Sequence, residues 1–386
     1  MEEDANKNMT CDVFSESQAE FYEVFSWSIE GVVSIFISGL GILLNTIAII
    51  ILSNKRIGTS FFNRLLVCLA GMDNLFLFAT IYNAVTRIII KSHSFHHLYI
   101  FVNIVYPARS ILMCSSTYTT VCLSFERYTF LTKPIYHRTR HNTNTYSRLV
   151  LYITAIVTLS FLYYIPRFFD LELETFIPNC ENGTETIESS IRMEQTNCSI
   201  KYYEKATEIR KDHNYILWYI NVSSLLVTGV IPGVLLGFFN YKIYNSLKRS
   251  NIQRASMISR GGPRGDQPNK NSSDYRRTIV LFAIVVIFVL CHSLRIILNI
   301  EEVANRARNT DKKDLQGCSP LRFWAVVLIP ISSLLIQVNA SANFFIYCFC
   351  DTAFKQVLTS ILSIRETINL RTAPRTRETF KLQELA

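Results

Sequence analysis

Seven long apolar runs constrain this chain more than any other feature. They cover Gly31–Leu52, Leu65–Ile90, Tyr106–Tyr136, Leu149–Ile165, Tyr215–Tyr244, Thr278–Ile300 and Phe323–Cys350. A helix needs about 20 residues to cross a hydrocarbon core about 30 Å thick. Within that core each backbone N–H and C=O must be satisfied inside the segment, as a helix does. The runs therefore predict an all-α membrane protein, a seven-transmembrane-helix bundle. The fourth run is the shortest and the third the most polar.

Composition agrees. Apolar residues make up 49% of the chain, and the charges gather between the runs, which marks a polytopic membrane chain rather than a globular one. A formal net charge of +9 could suit nucleic acid or anionic lipid. The bases lie in loops between apolar runs, so membrane lipid is the expected partner and nucleic acid is not. The first thirty residues are polar and acidic, so no cleavable leader is expected and the first run acts as its own insertion signal.

Lys and Arg in short loops set the orientation. The first loop holds Lys55, Arg56 and Arg64, and the third holds Lys133, Arg138, Arg140 and Arg148. The fifth, about 248–274, carries several more among Ser, Asn, Gly and Pro, and reads as a disordered cytosolic loop. Residues 1–28 are acidic, and between Arg167 and Asp212 ten acids face six bases. The expectation is an extracellular N-terminal segment 1–28, a membrane domain 29–350 with a long outer loop at about 167–214, and a cytosolic C-terminal segment 351–386. The glycosylation acceptors Asn8, Asn182 and Asn197 fall on the same outer side.

Polar groups inside the runs come next. A charge in hydrocarbon is costly unless it is paired or faces water. Asp73 is the clearest case, and Asn45, Ser116, Asn339 and Asn343 share its setting. Two readings are open. These groups hydrogen-bond across helices and hold the bundle together, or one carboxylate among neutral oxygens cages a small hard cation.

From Ser110 to Phe125 the third run carries no charge, then it closes on Glu126-Arg127-Tyr128, followed by Lys133-Pro134-Ile135. Arg109 and Arg127 are eighteen residues apart, about 27 Å along a helix, so they mark opposite ends of a crossing. The acid–Arg–Tyr closure resembles the third helix of rhodopsin-like G-protein-coupled receptors. Gly41-Ile42-Leu43-Leu44-Asn45 resembles that family's first-helix signature, Leu69-Ala70-Gly71-Met72-Asp73 the second, and Asn343-Phe344-Phe345-Ile346-Tyr347 the seventh. Phe354 falls where the family begins a short amphipathic eighth helix, here about 351–362.

The resemblance implies that Asp73, Ser116, Asn339 and Asn343 hold an allosteric sodium ion, the one cofactor expected. It implies that Glu126, Arg127, Tyr128, Ile135, Asn343 and Tyr347 serve switching and G-protein contact, with Asp274 as partner of Arg127 in a closed-state lock. Glu126 is also placed to pair with Arg127 locally. Arrestin and a receptor kinase would be further cytosolic partners.

Several family residues differ. Val102 stands at the usual third-helix cysteine, so the customary disulfide is not expected. The outer cysteines Cys11, Cys180, Cys198 and Cys318 allow three pairings, of which Cys180–Cys198 with Cys11–Cys318 is the one expected. Cys291-His292-Ser293-Leu294 replaces the sixth-helix Cys-Trp-x-Pro, and Phe344 replaces the seventh-helix proline, so two kinks are expected to be missing. Ile165-Pro166-Arg167-Phe168-Phe169-Asp170, with the two variants just named, resembles invertebrate FMRFamide-type neuropeptide receptors.

For the ligand, Arg109 stands where an amine receptor would carry a carboxylate, so a biogenic amine does not fit. Arg87, Arg109 and Arg295 lie in the outer halves of their helices and are expected to form a basic floor suited to an anion. The alternative is that Arg87 reaches the outer interface and Arg109 pairs with Glu301 or Glu302. Above the floor Asp170, Glu172, Glu174, Glu301 and Glu302 are expected to form an acidic rim that orients basic peptides, and Gln337 completes the expected ligand set. A peptide placing its Arg at the rim and an acidic or carbonyl group on the floor would satisfy both.

The reading is a plasma-membrane neuropeptide receptor coupled to a heterotrimeric G protein. One alternative is the same fold recognising an anionic small molecule or lipid. Another is a seven-helix transporter or channel, which would show an internal repeat or broken helices around a central site. No nucleophile–base set or metal-ligand spacing points to an enzyme.

Overall fold

The computed structural model describes residues 15–54, 60–92, 94–132, 145–176, 201–259, 268–308, 322–350 and 354–360. Seven helices are long and apolar enough to cross a membrane. They are α1 (Glu16–Leu52), α2 (Phe61–Ile89), α3 (Phe95–Thr132), α4 (Thr145–Phe169), α5 (Tyr215–Ser246), α6 (Pro268–Arg308) and α7 (Phe323–Ser341). Between α4 and α5 lies an antiparallel hairpin, β1 (Leu171–Phe176) and β2 (Lys201–Ala206), with Leu171 opposite Ala206 and Glu174 opposite Tyr203.

The helices outrun the apolar stretches. α1 begins at Glu16, where Ser15 and Gln18 form a reciprocal capping box that satisfies two orphan N–H groups. α3 begins at Phe95 rather than Tyr106. The helix containing the inner half of α5 continues to Ser259, and α6 starts at Pro268. This corrects the expected disordered loop at 248–274, of which only 260–267 lies outside the described residues. An apolar run marks where lipid demands a helix; Lys, Arg and Gln beyond it are good helix formers and let the ladder continue.

α7 has a one-residue break. The helix stops at Ser341 and resumes over Asn343–Cys350, although Phe344 replaces the proline. Ser341 Oγ donates to the Gln337 carbonyl at 2.8 Å, and the Asn343 amide donates to Asp73 at 2.8 Å. Side-chain bonds of this kind can bend a helix without a proline.

α1 packs between α2 and α7, and α3 contacts α2, α4, α5 and α6. Small and polar contacts draw the helices together, as lipid-embedded bundles require. Asn45 donates to the Ala340 carbonyl at 2.9 Å, and Tyr118 donates to the Val227 carbonyl at 2.8 Å. Gly41 sits against Ser341 and Leu77 with no room for a side chain.

At the end away from the hairpin an apolar core joins Ile51, Leu65, Leu69, Leu123, Ile243, Ile284 and Tyr347. Residues 354–360 are helical there and bury Phe354 and Val357 in that core; the rest of the expected eighth-helix segment lies outside the described residues.

At the hairpin end, several stretches are wound with wide i→i+5 turns: Trp27–Val33 in α1, Ala84–Ile89 in α2, Phe101–Val105 in α3, and Tyr215–Ser223 and Leu225–Val230 in α5. Such turns are uncommon and often accompany functional sites.

Candidate functional site

The hairpin roofs one end of the bundle. Its apolar face, Leu171 and Leu173, packs on buried Phe101, Val102 and Val105. Val102, the position where resemblance suggested a missing disulfide, is instead part of an apolar anchor between α3 and the hairpin. Two polar ties add to it. Arg87 pairs with Glu204 of β2 and lies 4.2 Å over the Phe101 ring. Asp170 is fully buried and accepts hydrogen bonds from Tyr106 Oη at 2.9 Å, Tyr215 Oη at 2.6 Å and Arg167 Nη1 at 3.3 Å.

Two sequence expectations are corrected here. Arg87 anchors the hairpin and does not line the cavity floor. Asp170 is no rim carboxylate but the hub joining α3, α4 and α5, because three donors compensate its burial. Outside the membrane, the Lys205 ammonium hydrogen-bonded to Glu174 at 2.8 Å holds that carboxyl below its ordinary value, and the same bond raises Lys205.

Beneath the hairpin lies a cavity of about 390 Å³, lined among others by Tyr106, Arg109, Arg167, Arg210, Arg295 and Glu302. That volume falls in the range of small-molecule and side-chain pockets. Arg109 and Arg295, expected in a basic floor, both line the cavity. Arg295 Nη1 contacts the Met113 sulfur at 3.1 Å.

Sequence reasoning missed Arg210 and Arg167 as parts of this site. Arg210 comes from a single helical turn, Glu208–Lys211, capped by Thr207. Arg167 sits at the end of α4, and a charge at the very edge of an apolar run was the available signal for it.

Glu302, expected in an acidic rim, lies in the cavity wall. Glu301 instead accepts from Asn305 at 3.0 Å and lies 3.7 Å from Arg322. Gln337 is corrected too: its amide oxygen accepts from Ser34 at 2.9 Å and Ser38 at 3.1 Å, so it fastens α1 to α7 rather than facing a ligand.

At mid-depth Asp73, 2% exposed, accepts from Ser116 Oγ at 2.6 Å and Asn343 Nδ2 at 2.8 Å. Three helices thus converge on one carboxylate. The Asn339 side chain makes no hydrogen bond to it, so that member of the expected set stands apart.

At the end away from the hairpin, Glu126 pairs with Arg148 of α4 at 2.8 Å. Arg127 Cζ lies over the Phe62 ring, 3.7 Å from its centroid, and 5.7 Å from that of Phe130, distances at which a guanidinium is attracted to a ring face. The expected Glu126–Arg127 pair is therefore replaced by one between helices. Tyr128 packs against Phe238 and Phe239 of α5, and Tyr347 is buried against Phe354. Asp274 belongs to α6, but its side chain lies outside the described side chains. Ile135, the four cysteines Cys11, Cys180, Cys198 and Cys318, and the acceptors Asn8, Asn182 and Asn197 also lie outside the described residues.

Seven crossings, a buried acid at mid-depth and a caged Arg at one end find their match in a known family. The pattern of the seven-transmembrane receptors of the rhodopsin family matches residues 44–347. The chain belongs to that family.

Its members are receptors, and this one is a multi-pass membrane receptor rather than an enzyme. It is 27% identical over 336 residues to an FMRFamide receptor of Drosophila melanogaster, covering 85% of this chain and 52% of that one. It is 22% identical over 337 residues to the FMRFamide peptide receptor frpr-18 of Caenorhabditis elegans, covering 84% and 66%. The receptor thus spans about half the length of the fly relative and just under two thirds of the nematode one.

Proposed function

We propose that the protein is a plasma-membrane receptor that binds an extracellular neuropeptide at the hairpin end and activates a heterotrimeric G protein at the other. The observation that carries the proposal is the cavity beneath the hairpin. It is roofed by the β1–β2 strand pair, which suits a peptide with one end inserted. Two relatives named for FMRFamide or a related peptide agree.

The mechanism is a shift of population between bundle arrangements. A ligand between α3, α6 and α7 touches Arg109, Arg295 and Ser332. The same helices carry Arg127 and Asn343 toward the opposite end, so a ligand that prefers one packing biases the environment of Arg127. The Arg127–Asp274 lock, arrestin and a receptor kinase belong to this proposal.

So does a regulatory sodium ion: the carboxylate of Asp73 with the oxygens of Ser116 and Asn343 has the donor chemistry of a small hard cation site. Bound there, the ion would supply the positive charge that Asp73 otherwise lacks. Loss of the sodium sensitivity of ligand binding in Asp73→Asn membranes is the test of that part.

The deciding experiment expresses the receptor with a promiscuous G protein and reads calcium release against a neuropeptide library. At least one amidated peptide is expected to act, and Arg127→Ala is expected to silence it at unchanged surface expression. Full signalling from Arg127→Ala would overturn the coupling mechanism.

A further inference from the structure

Resting on the peptide-receptor reading, we infer that Arg109, Arg210 and Arg295 form an oxyanion site that takes a carboxylate of the ligand. All three guanidiniums line the one cavity. Arg167, in the same wall, already has Asp170. Among the described residues none of the other three has a carboxylate within salt-bridge distance.

Their donors are under-used. Arg109 Nε and Arg210 Nη1 are buried with no hydrogen-bond partner, and Arg295 Nη1 reaches a thioether sulfur, a weak acceptor. Burying guanidinium groups without a counter-charge is costly, and bringing several like charges to one cavity adds to that cost. A carboxylate between them relieves both and takes up the idle N–H groups with charge-assisted bonds.

The acid in the cavity wall is Glu302, so a ligand carboxylate enters against its charge.

The inference also fixes polarity. A peptide spelling Phe-Met-Arg-Phe-amide carries a guanidinium and no acid, so its arginine cannot occupy this cavity end. An acidic residue flanking such a core enters instead, and the arginine stays toward Glu172 and Glu174 on β1. A free carboxylic acid offers the same chemistry from another source.

Cells carrying the full chain and a promiscuous G protein are given the matched pair Asp-Phe-Met-Arg-Phe-amide and Asn-Phe-Met-Arg-Phe-amide, and separately succinate and short fatty acids. The Asp peptide is expected to be about tenfold or more the stronger on the wild type. In Arg109→Gln and in Arg295→Gln, at equal surface expression, the gap is expected to fall below about twofold.

Equal potency of the two peptides, or a gap that survives both Arg variants, overturns the anion site and leaves the peptide receptor standing. Activation by free acids with both peptides silent upholds the anion site and overturns the peptide reading. If everything is silent, purified full chain is melted in succinate and in succinamide. A higher melting temperature in succinate that disappears in the Arg109→Gln/Arg295→Gln double variant supports the site, and no difference in the wild type overturns it.

Discussion

Asp170 shows what a single residue can hide. In the sequence it is one acid of a run, and acids in an outer loop usually face water. In the structure it is fully buried and collects Tyr106, Tyr215 and Arg167. Removing one partner of such a buried pair typically costs about 3–5 kcal/mol, because the other charge is left uncompensated. Asp170→Ala is therefore expected to lower the melting temperature of the purified receptor sharply, and more than Glu172→Ala, which lacks those partners. Arg109 and Arg295 were legible because an Arg in the middle of an apolar run rarely faces lipid. Arg210 was not, since nothing local distinguishes it from Lys211 beside it; only folding of the loop brings it over the cavity. Gln337 was misjudged for the same reason: an amide in a helix can serve a ligand or a neighbouring helix, and only the position of Ser34 and Ser38 decides.

At the scale of elements, helix number and type were legible because hydrocarbon leaves the backbone few choices. Helix ends were not, because beyond the lipid that constraint lapses and capping takes over, as at Ser15. The close crossing of α1 with α7 and α2 gives a direct test. A Cβ on Gly41 would overlap the Ser341 hydroxyl and come within 2.8 Å of Leu77 Cδ1. Overpacking of this kind typically costs about 1–3 kcal/mol, so Gly41→Val is expected to reduce thermal stability, and the companion change Ser341→Gly to restore part of it.

The hairpin has its own pH signature. Hydrogen bonding to Lys205 depresses the Glu174 carboxyl, so the pair's contribution is complete above the ordinary carboxylate value and vanishes as pH falls through the lowered one. The raised Lys205 ammonium keeps its contribution until pH climbs through its own raised value. Protection of the hairpin amides from hydrogen exchange, corrected for intrinsic rates, is expected to be flat across neutral pH and to drop only in acid. Lys205→Gln is expected to remove that acid step. The effect is small, since the pair is exposed to solvent.

For the molecule as a whole, the basic loops at 55–64 and 133–148 and the acidic stretch before α1 argue that the hairpin end faces out. Endoglycosidase treatment is expected to shift the protein on a gel, and replacing Asn8, Asn182 and Asn197 together by Gln to abolish the shift; an antibody tag before Glu16 reaching its antibody only in permeabilised cells would reverse the topology. The wide turns in α1, α2, α3 and α5 all sit on that same side. A turn closed by i→i+5 bonds holds one residue more than an ordinary turn needs. Tightening it to the regular spacing rotates everything beyond by roughly 100°. Winding one such turn would swivel a rod's far end without lifting the rod out of the membrane.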